Sequence, residues 1–254
     1  MRVPRFLCVP EDREGNLICL RGPEACHARR VLRLGPGDHI AILDGSGTEY
    51  QAVIEDRGCG AGSGAEVLWA RITAAQTRVT EPSLKLVLLQ GLPKGDKMDL
   101  IVQKATELGV GRIIPVVAQR SVARPKADKG ERKAPRWRRI AWEAAKQSGR
   151  ALVPAIEPPQ SLEEALRSLP AGCRLIVPWE GERRRTLAEA AVGLLPGATV
   201  AVLIGPEGGL TEEEVGLVST VGGVTVTLGP RILRTETAGL VVLACLLYAT
   251  GNLE

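Results

Sequence analysis

Aromatic side chains are scarce in this 254-residue chain: one Phe, two Tyr and four Trp, 3% of the whole. A protein that held single strands chiefly by stacking bases on rings would need more. Histidine is scarcer still, with His27 and His39 alone, both read as structural. The six cysteines (Cys8, Cys19, Cys26, Cys59, Cys173, Cys245) are scattered with no pair at metal-ligand spacing, so no metal centre is expected. They read as reduced, mostly buried small apolar residues of a cytoplasmic protein. No charged-then-apolar leader opens the chain, so no signal peptide is expected. The most apolar tract, Ala238 to Ala249, is roughly a dozen residues against the ~20 of a spanning helix. It reads as a core helix. The net charge of +4 is small, so where the charge sits matters more than its sum.

What the chain does contain changes texture part-way along. Up to about Thr73, short strand patterns end in Gly and Pro turns: His39 to Leu43 stops at Asp44-Gly45, Thr48 to Ile54 alternates, and Glu66 to Ile72 resumes after a glycine-rich loop. His27 to Arg33 reads as a short helix before Gly35-Pro36-Gly37. Residues 1–73 are therefore expected to form a small β-rich domain, a barrel, with residues 74–83 as a polar connector. From Leu84 the runs Leu84–Leu89, Arg112–Val117, Arg174–Val177, Thr199–Ile204 and Val224–Leu228 are nearly continuous and apolar. Strands covered on both faces have that composition, which points to a parallel sheet.

Helical stripes alternate with those runs, giving an α/β domain over residues 84–254. Met98, Ile101, Val102, Ala105 and Leu108 share one face, with Asp96 placed to cap and Gly109 to stop. A second stripe runs from Trp137 through Ala145 to Gly149. Three helices open with a Ser/Thr-x-x-Glu box: Ser161 with Glu164, Thr186 with Glu189, and Thr211 with Glu214. Thr235 or Thr237 is expected to cap the last helix.

Two turns stand out, each at the end of a strand run and leading into a helix. Ile204-Gly205-Pro206-Glu207-Gly208-Gly209 lacks the Lys-Ser/Thr of a phosphate loop and the spacing of a dinucleotide fingerprint. It reads either as a plain strand-to-helix turn or as a place where main-chain groups approach a ligand closely. Glu207 there faces either a cation or solvent. Leu228-Gly229-Pro230-Arg231-Ile232-Leu233-Arg234-Thr235-Glu236-Thr237-Ala238 carries two arginines three apart. They suit either surface pairing, for example with Glu236, or a phosphate or enolate-like oxygen. Ligands of open α/β sheets bind at such carboxyl-terminal turns.

Basic residues flank these turns in both halves. Arg2, Arg5, Arg29, Arg30 and Arg33 precede the connector, and Lys126, Lys129, Arg132 and Lys133 fall in a run with few acids. Such a run is either a solvated loop or a polyanion contact; basic residues in both halves beside a ligand-type turn favour nucleic acid over a small acidic substrate.

These residues resemble the RsmE family, the bacterial 16S ribosomal RNA uridine-N3 methyltransferases of the SPOUT superfamily. The likeness runs almost end to end. It includes Met1 to Phe6, His27 with Val31 to Asp38, Lys97-Met98-Asp99 leading into Gln103 to Val110, Arg120-Ser121-Val122, Glu143 to Arg150, and both glycine turns. Lys146 departs from it, standing where many relatives carry an acid or amide.

The resemblance implies a PUA-like barrel in front of a SPOUT domain with a carboxyl-terminal trefoil knot. It also implies a homodimer and S-adenosylmethionine held at the knotted loops. The implied target is one uridine near the decoding end of the small subunit, methylated on assembled subunits. Cofactor contacts are then expected from Ile204, Gly205, Pro206, Glu207, Gly208, Gly209, Leu228, Gly229, Ile232, Leu233, Thr237 and Ala238. Arg231 and Arg234 would serve the uridine, its phosphate or the developing anion, with Glu236 as a weak candidate base. The alternatives are a SPOUT methyltransferase of ribose 2′-hydroxyl or guanine N1, and a non-catalytic ribosome-assembly factor.

Overall fold

The computed structural model describes residues 3–45, 47–57, 66–77, 80–121 and 133–253. They divide into two compact units: Met1–Glu81 with Ala145–Val153, and Pro82–Ala144 with Pro154–Glu254.

The first unit is built on one six-stranded sheet. Its strands are β1 (Arg5–Leu7), β2 (Arg13–Glu14), β3 (Leu17–Arg21), β4 (His39–Leu43), β5 (Thr48–Glu55) and β6 (Val67–Thr77), in the order β1-β4-β5-β6-β3-β2. Only β1 and β4 run parallel. Inward residues form one apolar core, with Phe6, Ile18, Leu20, Ile40, Ile42 and Leu68 all but fully buried. Alternate residues along a strand face opposite sides, so a half-buried sheet needs this pattern.

Two expectations shift here. The connector expected from Ala74 begins as strand, because Ala74 to Thr77 pair with Gln51 to Thr48 of β5. The helix expected over His27 to Arg33 starts earlier, as α1 (Gly22–Cys26), and continues as a wider π turn (His27–Val31). It ends where Arg33 adopts a left-handed φ of 56°.

The second unit holds seven parallel strands. They are β7 (Lys85–Gly91), β8 (Arg112–Val117), β9 (Ala155–Ile156), β10 (Gln160–Ser161), β11 (Arg174–Pro178), β12 (Thr199–Ile204) and β13 (Val224–Val226). Their order is β10-β8-β7-β12-β11-β13, with β9 also beside β8. The helices are α2 (Lys97–Glu107), α3 (Ala134–Ser148), α4 (Leu162–Arg167), α5 (Leu187–Ala191), α6 (Glu212–Thr220) and α7 (Thr235–Ala249). Central strands β7 and β12 are nearly all buried, as their unbroken apolar runs require.

All three capping boxes form. Ser161, Thr186 and Thr211 each accept from the Glu amide three residues on at 3.2 Å. Gly109 ends α2 at φ +87° and Gly149 follows α3 at φ +75°, conformations that favour glycine. Asp96 does not cap α2 with its side chain; its φ and ψ of −100° and 11° are not the extended values of a cap, and its carbonyl accepts from Asp99 instead.

Candidate functional site

Pairing of β7 with β12 brings two distant stretches of chain together at their carboxyl ends. A Cβ placed on Gly91 would lie 2.5 Å from the Pro206 nitrogen, so the end of β7 presses against the bend that follows β12. The bend carries the first glycine turn into Thr211 and α6. Gly205 is confined too, though less tightly: a Cβ there would meet Leu210 and the Gly209 carbonyl carbon within 3.2 Å. Gly209 has φ +70°, a conformation that strains any residue with a Cβ, and it lies against the Glu180 carboxylate.

Beside this turn lies a cavity of about 480 Å³. Its walls include Ile204, Gly205, Pro206, Glu207, Gly208, Gly209, Ile232, Leu233, Arg234 and Ala238. A smaller cavity of about 140 Å³ shares Pro178, Glu180, Ile232, Leu233 and Ala238 with it and adds Leu228, Gly229 and Arg231. The expected site residues thus converge, but on two adjoining hollows. Arg234 faces the first and Arg231 the second. Glu236 and Thr237 line neither; the Thr237 amide donates to the Arg234 carbonyl at 2.8 Å. Ile232 stands 90% exposed at their shared edge, an apolar side chain with nothing over it.

Lys97, Pro178, Glu180 and Gln90 belong to the arrangement although pattern reasoning about the turns passed over them. Lys97, at the start of α2, donates to Glu207 Oε1 at 2.9 Å and pairs with Glu236 Oε2 at 3.2 Å. Glu207 also accepts from the Lys94 amide at 3.1 Å. The cation that Glu207 faces is therefore the protein's own. Partial burial pushes the Glu207 carboxyl up, yet Lys97 and the amides outweigh it and its pKa falls below the usual range. The Glu236 carboxyl is lowered first by its own amide and then, against partial burial, by Lys97. Only the repeated Lys in Lys94-Gly95-Asp96-Lys97 hinted at such a tie.

Thr235 does not cap α7. Arg234 is the helix-capping residue and makes no side-chain cap bond. The Thr235 hydroxyl instead donates to the Gly205 carbonyl at 2.7 Å and accepts from Gln90 Nε2 at 2.9 Å. Gln90 is fully buried at the end of an otherwise apolar strand, so this chain fastens the two glycine turns to β7. Gly208 is held from the other side, where Arg120 Nη1 donates to its carbonyl at 3.1 Å.

Such a main-chain pocket, with a guanidinium at its wall and carboxylates neutralised by a lysine, resembles no metal site. Among the described residues there is no cluster of metal-ligating side chains. Residues 80–247 match the RNA methyltransferase domain family, and residues 20–58 match the RNA methyltransferase PUA domain. The ribosomal RNA small subunit methyltransferase E of Bacillus subtilis is 36% identical, covering 95% of this chain and 93% of that protein. The chain belongs to the small-subunit ribosomal RNA methyltransferase E family. Its relative from Mycobacterium tuberculosis is 32% identical over 94% of this chain and 88% of its own. Among solved structures, the Neisseria gonorrhoeae methyltransferase E bound to S-adenosyl methionine superposes with a TM-score of 0.78 at 30% identity, covering 98% of both chains. A methyltransferase from Legionella pneumophila in complex with the same cofactor gives 0.79, also at 30% identity, over 98% of this chain and 99% of that one.

The first unit's arginines are differently placed. Arg5 pairs with buried Glu49 at 3.5 Å and Arg30 with Glu66 at 3.1 Å. Arg29 is half-buried, while Arg33 and Lys133 are exposed. Arg2, Lys126, Lys129 and Arg132 lie outside the described residues.

Proposed function

We propose that this protein is an S-adenosylmethionine-dependent methyltransferase that modifies N3 of a uridine in 16S ribosomal RNA of the small subunit. The observation that carries this reading is the joining of the two glycine turns into one cavity with Arg234 at its wall. The cradle fits the cofactor: glycines at 205 and 209 leave main-chain groups uncovered, and Ile204, Ile232 and Leu233 supply apolar walls. When bound there, S-adenosylmethionine supplies a methyl group already activated by its sulfonium charge.

The protein's own residues then have mainly to align reactants and steady charge. Uracil N3 carries a proton, and losing it spreads negative charge over the flanking carbonyl oxygens. Arg234 donates to those oxygens, the role a fixed donor plays at any developing oxyanion. Arg231, on the adjoining hollow, serves the uridine's phosphate. Glu236 is kept ionised by its own amide and then by Lys97, and makes a weak base; we assign it to positioning, and the proton leaves to solvent or hydroxide.

Further features of the family complete the reading. The parallel sheet carries a carboxyl-terminal trefoil knot, and the first unit is a PUA-like barrel that binds RNA through Arg29, Arg30 and Arg33. The enzyme is a cytoplasmic homodimer acting on assembled subunits. Leu100 on α2 and Tyr248 on α7, both exposed, support a second copy packing there. Mass spectrometry of digested 16S RNA from a deletion strain tests the activity. Loss of 3-methyluridine, restored by the gene, is expected; if the nucleoside persists, the assignment fails, and disappearance of a ribose-methylated or N1-methylguanosine residue instead would reassign the position.

A further inference from the structure

We propose that Arg183, Arg184 and Arg185 form a preset phosphate clamp that, with Arg231, grips the RNA strand beside the target base. All three are exposed, and among the described residues none of their guanidinium groups has a hydrogen-bonded or ion-paired partner. Runs of arginine are usually solvated and mobile. Here the backbone is fixed and Arg183 borders the site.

Its backbone is fixed by Glu182. One carboxylate oxygen accepts from the amides of Arg183, Arg184 and Arg185 at 2.9, 2.8 and 3.2 Å, and the other accepts from the Thr225 hydroxyl at 2.8 Å. The Arg184 amide, the Thr225 hydroxyl and the Arg185 amide together hold the Glu182 carboxyl down to about 2, so it stays ionised wherever the enzyme works. Both ends of the segment are tied to the sheet. The Trp179 amide donates to the Val226 carbonyl at 3.1 Å, and the Thr227 amide donates to the Arg185 carbonyl at 2.8 Å. Three guanidinium groups are thus presented from a turn that loses little freedom on binding.

Position gives the turn its partner. Arg183 lines the smaller cavity together with Arg231, and that cavity shares a wall with the one assigned to the methyl donor. A nucleotide entering the shared edge at Ile232 would carry its flanking phosphates towards these arginines. Guanidinium groups match phosphate geometry through paired donors. Glu180 lines both hollows and opposes phosphate in each, but on the smaller one Arg183 and Arg231 outweigh its single charge. Glu182 adds little repulsion, because its charge is already directed into backbone amides.

That the strand is ribosomal RNA follows from the function proposed above; the clamp can be tested without methyl transfer. Binding of a short uridine-containing RNA would be followed by fluorescence anisotropy across a salt series, for the full chain and for Arg183→Ala/Arg184→Ala/Arg185→Ala. Neutralising three phosphate contacts should lower the slope of log affinity against log salt by about 2 and weaken binding about tenfold or more at moderate salt. The KM for small subunits should rise while kcat changes little. A triple lysine variant keeps the charge and should retain most of the slope. Glu182→Gln keeps the arginines but loosens their turn, and should weaken binding with the slope partly kept. Should the alanine variant melt early, Arg184→Glu gives the same readout. An unchanged salt slope and KM would overturn the clamp while leaving the methyltransferase assignment standing. A wild-type protein that binds this RNA through the clamp yet methylates no subunit would do the reverse.

Discussion

The hydroxyl of Thr235 donates to the carbonyl of Gly205 at 2.7 Å, and this single bond joins two turns thirty residues apart in the chain. The same hydroxyl receives the buried Gln90 amide. Thr235→Val keeps the shape but removes both partners. A buried donor left unpaired costs about 1–3 kcal/mol. Melting should fall accordingly and cofactor affinity should drop with it, whereas Thr235→Ser should restore both. Calorimetry of cofactor binding beside thermal melts checks this; equal affinity in the Val variant would show that the turns hold their places without the bond.

Arg234 caps the last helix through its carbonyl, so its side chain is free of structural duty there. Arg234→Ala should therefore leave the melting temperature unchanged. Methyl transfer should fall by about 100-fold or more, the usual loss when one donor to a developing oxyanion is removed. Single-turnover assays on small subunits measure it. Turnover near wild type would remove the role assigned to this residue.

Lys97 makes the site sensitive to acid. Glu207 and Glu236 both have pKa values lowered in the folded protein. A depressed carboxyl contributes stability that is fully present above its unfolded pKa and is lost as pH falls through the folded value. Cofactor affinity and melting temperature should hold at neutral pH and decline together below the ordinary carboxylate range. Lys97→Met should lose affinity at neutral pH, about tenfold, or ~1.4 kcal/mol. It should also shift the acid decline upwards. An acid limb in the same place in both proteins would mean that Lys97 does not set it.

Gly208 lines the larger cavity, as a glycine that lets a ligand approach should. It is also packed from behind: a Cβ at 208 would lie 2.9 Å from the Arg120 Cβ and 3.2 Å from the Arg120 carbonyl oxygen. Gly208→Val should therefore destabilise the protein before any ligand is added, by about 1–3 kcal/mol as overpacking generally does. Chemical denaturation without cofactor decides the matter. A normal midpoint with lost cofactor binding would return Gly208 to the ligand.

Lys146 is paired rather than idle. It donates to both Glu24 oxygens at 2.9 Å, with the Phe6 ring 5.3 Å from its ammonium nitrogen. The two side chains are only 16% and 12% exposed. Lys146→Met should strand the carboxylate and cost about 3 kcal/mol of stability. A double variant with Glu24→Gln should recover part of it, which a denaturation cycle would show; additive losses would mean the two side chains do not depend on each other.

Local signals in the chain were enough for the long strands and capped helices of the second unit, its parallel sheet and the two glycine turns. Unbroken apolar runs such as Thr199–Ile204, short and rich in β-branched residues, have the composition of strands covered on both faces, and Ser/Thr-x-x-Glu boxes fix helix starts through bonds spanning three residues. Those interactions lie within a few residues of one another, so spacing reveals them. Other features arise between segments far apart. Asp96 looks like a cap but has the wrong backbone angles for one, and Thr235 finds a better acceptor in Gly205 than in its own helix. Lys97 joins Glu207 and Glu236 only because β7 lies against β12, a pairing across more than a hundred residues. A side chain's partner is set by which strands become neighbours, and no periodicity in the chain encodes that neighbourhood.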